Sequence, residues 1–93
     1  MEMENFSARD VILHICEYEF PKYVGVFRDG KIYPVIGMAL VDAHQIGRMI
    51  AGIGINTHGF FLFEQQSDFL GYADINDKEE QQQMLITAAR RTL

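Results

Sequence analysis

The sequence predicts an α+β fold: a two-layer sandwich of one antiparallel four-stranded sheet, built from two hairpins, with helices over it in the order α-ββ-α-ββ-α. Three observations carry this expectation. Two runs of β-branched and aromatic residues, 23–27 and 32–40, flank an Asp29-Gly30 step, the strongest short-range hairpin signal. A second pair of runs, 59–64 and 69–73, flanks the turn-forming stretch 65–68. After each pair stands an aspartate with Gln or Glu three positions on, Asp42 with Gln45 and Asp77 with Glu80, the spacing of a capping box.

At the start of the chain Ser7 can cap a helix, Asp10 falls at its third position, and Phe6 and Val11 sit where a hydrophobic staple closes. The residues 11–20 fit a helix with Ala8, Val11, Ile12 and Ile15 on one side. They also fit a strand with Ile12, His14, Cys16, Tyr18 and Phe20 on one face. The caps favour the helix, which stops before Pro21 because the residue ahead of a proline resists the helical region. Past the first hairpin, Ile46, Met49, Ile50 and Ile53 recur at helical intervals, and a short amphipathic helix is expected, with Gly47 inside it and Gly52 or Gly54 ending it. A last helix opens at Asp77, carries acid in its first turn and Arg90-Arg91 in its last, and gathers Leu85, Ile86, Ala88, Ala89 and Leu93 toward its end. Gln81, Gln82 and Gln83 read as solvated. The two halves share one grammar, strand, turn, strand and capped helix, which fits either a degenerate duplication or coincidence.

Ninety-three residues, 48% of them hydrophobic and with seven Phe and four Tyr, make one packed domain, 1–93. Thirteen acidic against eight basic residues give a net charge of -5, and no basic stripe is present, so direct nucleic-acid binding is not expected. Cys16 is the only cysteine, the first residues are acidic where a secretory signal is basic, and no apolar run approaches the roughly 20 residues of a membrane span. The expected compartment is the cytoplasm, with no membrane contact.

The motifs that suggest chemistry are weak. Gly52-Ile53-Gly54 lacks both the Lys-Ser/Thr pair and the strand-to-helix context of a phosphate loop. His14, Cys16, His44 and His58 are the soft metal-ligand candidates, but only His14 and Cys16 lie close, and they share a face only on a strand. Cys16 or Ser67 as nucleophile stands in no recognisable elbow, and Asp42 beside His44 is accounted for by capping. No enzyme activity and no cofactor or metal are expected. The aromatics Phe60, Phe61, Phe63, Phe69 and Tyr72 have Glu64, Asp68 and Asp74 around them, not the Arg and Lys of a base-stacking platform.

The expected function is therefore a non-enzymatic interaction module, an acidic protein of the inhibitor, adaptor or immunity type that acts by binding another protein. Its partner-binding residues are expected at Glu17 and Glu19 and at Asp74, Asp77, Glu79 and Glu80. Phe60, Phe61, Phe63 and Tyr72 are assigned to the core or to a homodimer contact, since one sheet with apolar residues on both faces wants more cover than its helices supply. The alternative is a small-molecule sensor whose pocket between sheet and helices is lined by Phe61, Phe63, Tyr72 and Met49.

Overall fold

The structure, a computed structural model, describes residues 11–43 and 47–91. Among these residues the chain forms seven strands and one α-helix: β1 (Val11–Glu17), β2 (Tyr23–Phe27), β3 (Ile32–Pro34), β4 (Gly37–Ala43), β5 (Gly47–Asn56), β6 (Gly59–Leu62), β7 (Phe69–Asp74) and α1 (Lys78–Arg91). A 3-10 turn, Phe63–Gln65, follows β6. The expectation of an α+β two-layer sandwich with several helices is corrected: the molecule is mainly β. It has two antiparallel sheets, four strands in the order β1-β4-β5-β6 and three in the order β3-β2-β7.

The differences have local causes. Residues 11–17, expected as a helix, run as β1 against β4, with His14 opposite Leu40 and Cys16 opposite Met38. Leu13 is the extra residue of a bulge there. β-branched side chains won over caps that, with Ser7 and Asp10, lie outside the described residues. The run 32–40 is not one strand but two. β3 is an edge strand in which Pro34 needs no N–H. After it the Val35 N–H still donates to the Tyr23 carbonyl, and the chain then leaves for the other sheet, where β4 starts at Gly37. The helix expected from Asp42 onward is instead the partner strand of β4. Val41 faces Met49, Ala39 faces Ala51 and Asp42 faces Arg48, so Asp42 is a strand residue and not a cap. Its supposed box partner Gln45, with His44 and Ile46, lies outside the described residues.

Three other expectations hold. The Asp29-Gly30 step closes the β2–β3 hairpin, with Asp29 Oδ1 accepting from the Lys31 N–H at 2.9 Å and Gly30 at φ 91°. The fourth expected strand is β7. Asp77 caps α1, its Oδ1 accepting from the Glu80 N–H at 2.9 Å.

The layers follow from which side chains meet. On one face of the four-stranded sheet Ala39, Val41, Ala51, Ile53 and Leu62 are buried, with Ile12, Ile15, Ile36, Met49 and Phe60 packed around them. The opposite face gives Met38 and Phe61 to an aromatic cluster shared with Phe27, Tyr33, Phe63, Phe69 and Tyr72, which fills the space between the sheets. The outer face of the three-stranded sheet buries Val24, Val26 and Ala73 under Met84 and Leu85 of α1. Phe61 and Phe63, expected in the core or at a homodimer contact, are core residues covered by the chain's own second sheet.

Close approach in the middle of this stack depends on Gly25. It pairs with Tyr33 on one side and Tyr72 on the other, and a Cβ there would run into the ring of Phe63. Since the ring is fully buried it has nowhere to retreat. Gly25→Ala is therefore expected to destabilise the fold by about 1 to 3 kcal/mol, the usual cost of overpacking a core, read as a lower urea midpoint with an unchanged slope.

Candidate functional site

One end of the molecule is built where β1 gives way to β2 and where β7 gives way to α1. Tyr23 pairs with Asp74, and the Ile75 N–H donates to the Lys22 carbonyl at 2.9 Å, so residues 18–22 lie beside the start of α1. The turn into the helix is made by its own carboxylates. Asp74 Oδ1 accepts from the Asn76 N–H at 2.8 Å, while the Asp74 carbonyl accepts from the Asp77 N–H at 3.1 Å. Gln81, read from sequence as solvated, is 1% exposed. Its Nε2 donates to the carbonyls of Asp74 at 3.0 Å and Ile75 at 3.3 Å, which ties the first turn of α1 to the end of β7.

Alongside α1 runs an open groove of about 560 Å³. Leu70, Met84 and Ala88 supply its apolar lining, with Gln83 and Thr87 between the charged ends. Asp77, Glu79 and Glu80 stand toward the helix N-terminus; Arg91 stands at its C-terminus, and Arg28 comes in from the β2–β3 turn. Arg28 also borders a smaller hollow with Leu85, Ala88 and Ala89, which places it against the C-terminal half of the helix. The helix is 14 residues long, and so spans about 21 Å at 1.5 Å per residue. Among the described residues neither arginine is in an ion pair. The pair that is present, Lys31 with Asp29 at 3.9 Å, is exposed on the hairpin turn.

Of the residues expected to bind a partner, Asp77, Glu79 and Glu80 therefore line one groove. Asp74 lies just before it, its carboxylate occupied by the turn. Glu19 is exposed on the neighbouring crossing, and Glu17, at the end of β1, faces with Ile15 on the outer side of the four-stranded sheet. Sequence reasoning missed Arg28, Leu70 and Met84 as groove residues. Met84 and Ala88 fall one helical turn apart on the stripe that begins at Asp77 and Glu80, a signal that was available; the approach of Arg28 depends on tertiary packing alone.

The four residues proposed to line a sensor pocket do not meet around a cavity. Phe61 and Phe63 are buried with ring centroids 4.9 Å apart, and Phe63 and Tyr72 are 5.7 Å apart, a filled aromatic core. Met49 packs on the opposite face of the sheet, as does Phe60.

Tyr72 does one further thing. Its hydroxyl lies 2.7 and 2.6 Å from the two oxygens of Glu64, to which it donates, and the Gly52 N–H donates to Glu64 Oε1 at 2.9 Å and to Tyr72 Oη at 3.0 Å. The β5–β6 ladder ends at Ile53 opposite Leu62, and the chain then turns away into Phe63–Gln65. The side chains of Glu64 and Tyr72 thus replace the missing strand for Gly52 and join the two sheets. Burial, then the hydrogen bond and charge of Glu64, push the Tyr72 phenol well above its ordinary value near 10. A phenol held in this way is a poor proton donor at neutral pH, and the arrangement is a clamp.

The residues with metal or nucleophilic chemistry are dispersed. β1 puts His14 and Cys16 on one face after all, but Leu40 and Met38 are what stand opposite them. The His58 N–H donates to Asn56 Oδ1 at 2.8 Å in the β5–β6 turn, and Ser67 is exposed in the turn before β7. Among the described residues no group of three or more His, Cys, Asp or Glu is placed to hold a metal ion. Gly52 and Gly54, expected at a helix stop, lie inside β5. No helix among the described residues is long and apolar enough to cross a membrane. Comparison with protein-family models, with curated proteins and with solved structures finds no match.

Tyr72→Phe should lower stability by about 1.5 to 3 kcal/mol at neutral pH, the usual value of a lost hydrogen bond to a charged group. Because the folded state holds the Tyr72 proton more tightly than the unfolded state, this contribution is full below about pH 10 and is lost as pH rises above it. Urea midpoints of the two proteins should accordingly differ from pH 6 to 9 and converge above pH 10.

Proposed function

We propose that this chain is a non-enzymatic protein-binding module that takes a segment of another protein along α1. The segment's lysines or arginines lie over Asp77, Glu79 and Glu80, its apolar side chains over Leu70, Met84 and Ala88, and its carboxylates toward Arg28 and Arg91. The observation that carries this reading is the groove of about 560 Å³ with opposite charge at its two ends and an apolar lining between them. Acid at the start of a helix and Arg91 at its end are also what a helix dipole favours. Arg28 is not explained that way, since it belongs to the β2–β3 turn and approaches the helix from the sheet. Charges on a rim steer the encounter and set orientation, and the desolvated apolar centre supplies most of the affinity. The exposed free thiol of Cys16 suits a reducing compartment such as the cytoplasm.

The test compares tagged wild type with two variants of equal net charge, Glu79→Gln/Glu80→Gln on the groove and Asp42→Lys on β4. Association rates with the protein captured by wild type are measured at low and at physiological salt. The groove variant is expected to associate about tenfold more slowly at low salt, the scale of electrostatic steering, while the β4 variant stays near wild type. Equal slowing in both variants would reduce the effect to net charge, and no slowing in either would remove the groove from the interface.

A further inference from the structure

The chain crosses from the four-stranded to the three-stranded sheet through residues 18–22, and this crossing is held at both ends. The Tyr18 N–H donates to the Ile36 carbonyl, the Ile75 N–H to the Lys22 carbonyl and the Val35 N–H to the Tyr23 carbonyl, each at 2.9 Å. Between these anchors Phe20 stands 74% exposed, with Tyr18 at 39% and Tyr23 at 52% on either side. Pro21 restricts the backbone directly after it. Next to Tyr18 a hollow of about 240 Å³ is lined by Ile15, Glu17, Tyr18, Ile36, Ile53 and Phe60, and Phe20 does not fill it. Single exposed apolar residues are ordinary on a protein surface. Three aromatic side chains within six residues, on a pinned segment beside an apolar hollow, are not.

We infer that residues 17–23 form a second docking surface, for a folded protein that offers an apolar socket to Phe20 and lysines or arginines to Glu17 and Glu19. Aromatic side chains are the usual anchors of protein interfaces, and one carried on a backbone already held at both ends adds only its own side-chain ordering to the cost of binding. The acids select the kind of partner. A second copy of this chain would bring the same carboxylates to a two-fold contact and a net charge of -5 to meet its like. Nucleic acid and anionic lipid are repelled for the same reason. Lys22 alone offsets Glu17 and Glu19 on this segment. The surface stands on residues other than those of the groove along α1, so either can fail without the other.

The test is made on the full chain with a benzophenone-bearing phenylalanine at position 20, irradiated in a cell lysate, alongside Phe20→Ala and Glu17→Lys/Glu19→Lys. Melting temperatures of these exposed-site variants should stay within a few degrees of wild type, which separates lost docking from lost folding. The expected result is an adduct whose attachment point on the partner is apolar with Lys or Arg within a few residues of it in the partner's chain. Capture of that partner should fall at least tenfold in both variants and persist in Glu79→Gln/Glu80→Gln. The inference is overturned by an adduct to another copy of this chain, by an attachment point without basic neighbours, by undiminished capture in Phe20→Ala, or by the absence of any adduct.

Discussion

The ring of Phe63 lies on the backbone of Gly25 with no side chain between them, and the arrangement of the two sheets depends on that contact. Packed sheets ordinarily stand about 10 Å apart because side chains from both inner faces fill the gap. Here glycines on both inner faces make room for rings. Gly25 receives Phe63, Gly52 lies under the Tyr72 hydroxyl, and Gly54 lies under the ends of Phe61 and Phe63. Phe27, Tyr33 and Phe69 complete the cluster at centroid distances of 5.4 to 6.0 Å from one another or from Phe61 and Phe63. With β2 fixed in this way, β7 and β3 follow through their pairing. α1 is then set on the outer face of β2 and β7, and the groove along it and the crossing at residues 18–22 are consequences of that placement.

The glycines also explain where the sequence misleads. Ile46, Met49, Ile50 and Ile53 fit a helical stripe, but Met49, Ala51 and Ile53 equally fit one face of a strand, and over so short a run both periods are satisfied. What should have decided between them is Gly47, Gly52 and Gly54, each worth about 1 kcal/mol against a helix relative to alanine. Two of the three lie where a ring presses on β5, and glycine inside a strand pattern signals such close approach. Similarly, Pro34 inside the apolar run 32–40 was a mark of interruption, since a strand crossing from one sheet to another needs no ladder at the crossing. Local signals with one physical reading survived intact: the Asp-Gly turn, the strand before α1, and the cap at Asp77.

The partner-binding residues were legible to the extent that charge is legible. Asp77, Glu79 and Glu80 share a groove because the cap at Asp77, a local signal, sets where the helix starts and so places all three in its first turn. Asp74 was read as surface charge, yet its carboxylate is spent on the turn at Asn76, an Asx turn that the Asp-Ile-Asn-Asp run permits. Gln81 falls at helical spacing before Met84, Leu85 and Ala88, the side of α1 that packs on the sheet, but its polar side chain and two glutamine neighbours masked that position. It is buried by what its amide finds, the carbonyls at the end of β7. A buried amide left without partners would have cost more than the helix turn it anchors is worth, so this pair of bonds fixes where α1 begins. The clamp at Glu64 and Tyr72 was equally invisible, since it depends on a ladder that stops one residue short of Gly52.

The same backbone constraints bear on the surfaces that face outward. Transferring a phenylalanine from water to a packed site is favourable by about 1.5 to 3 kcal/mol, and an apolar hollow lies close in sequence to Phe20. Phe20 is not among the residues that line it, and the crossing is held by backbone hydrogen bonds at Tyr18 and Lys22 with Pro21 narrowing the conformations between them. A shift of the crossing large enough to break one of those bonds would expose a backbone donor or acceptor. That loss is comparable to the gain, and it would also loosen the junction through which β2 enters the stack. The exposed aromatic thus sits on a short crossing between two sheets whose backbone is held at both ends.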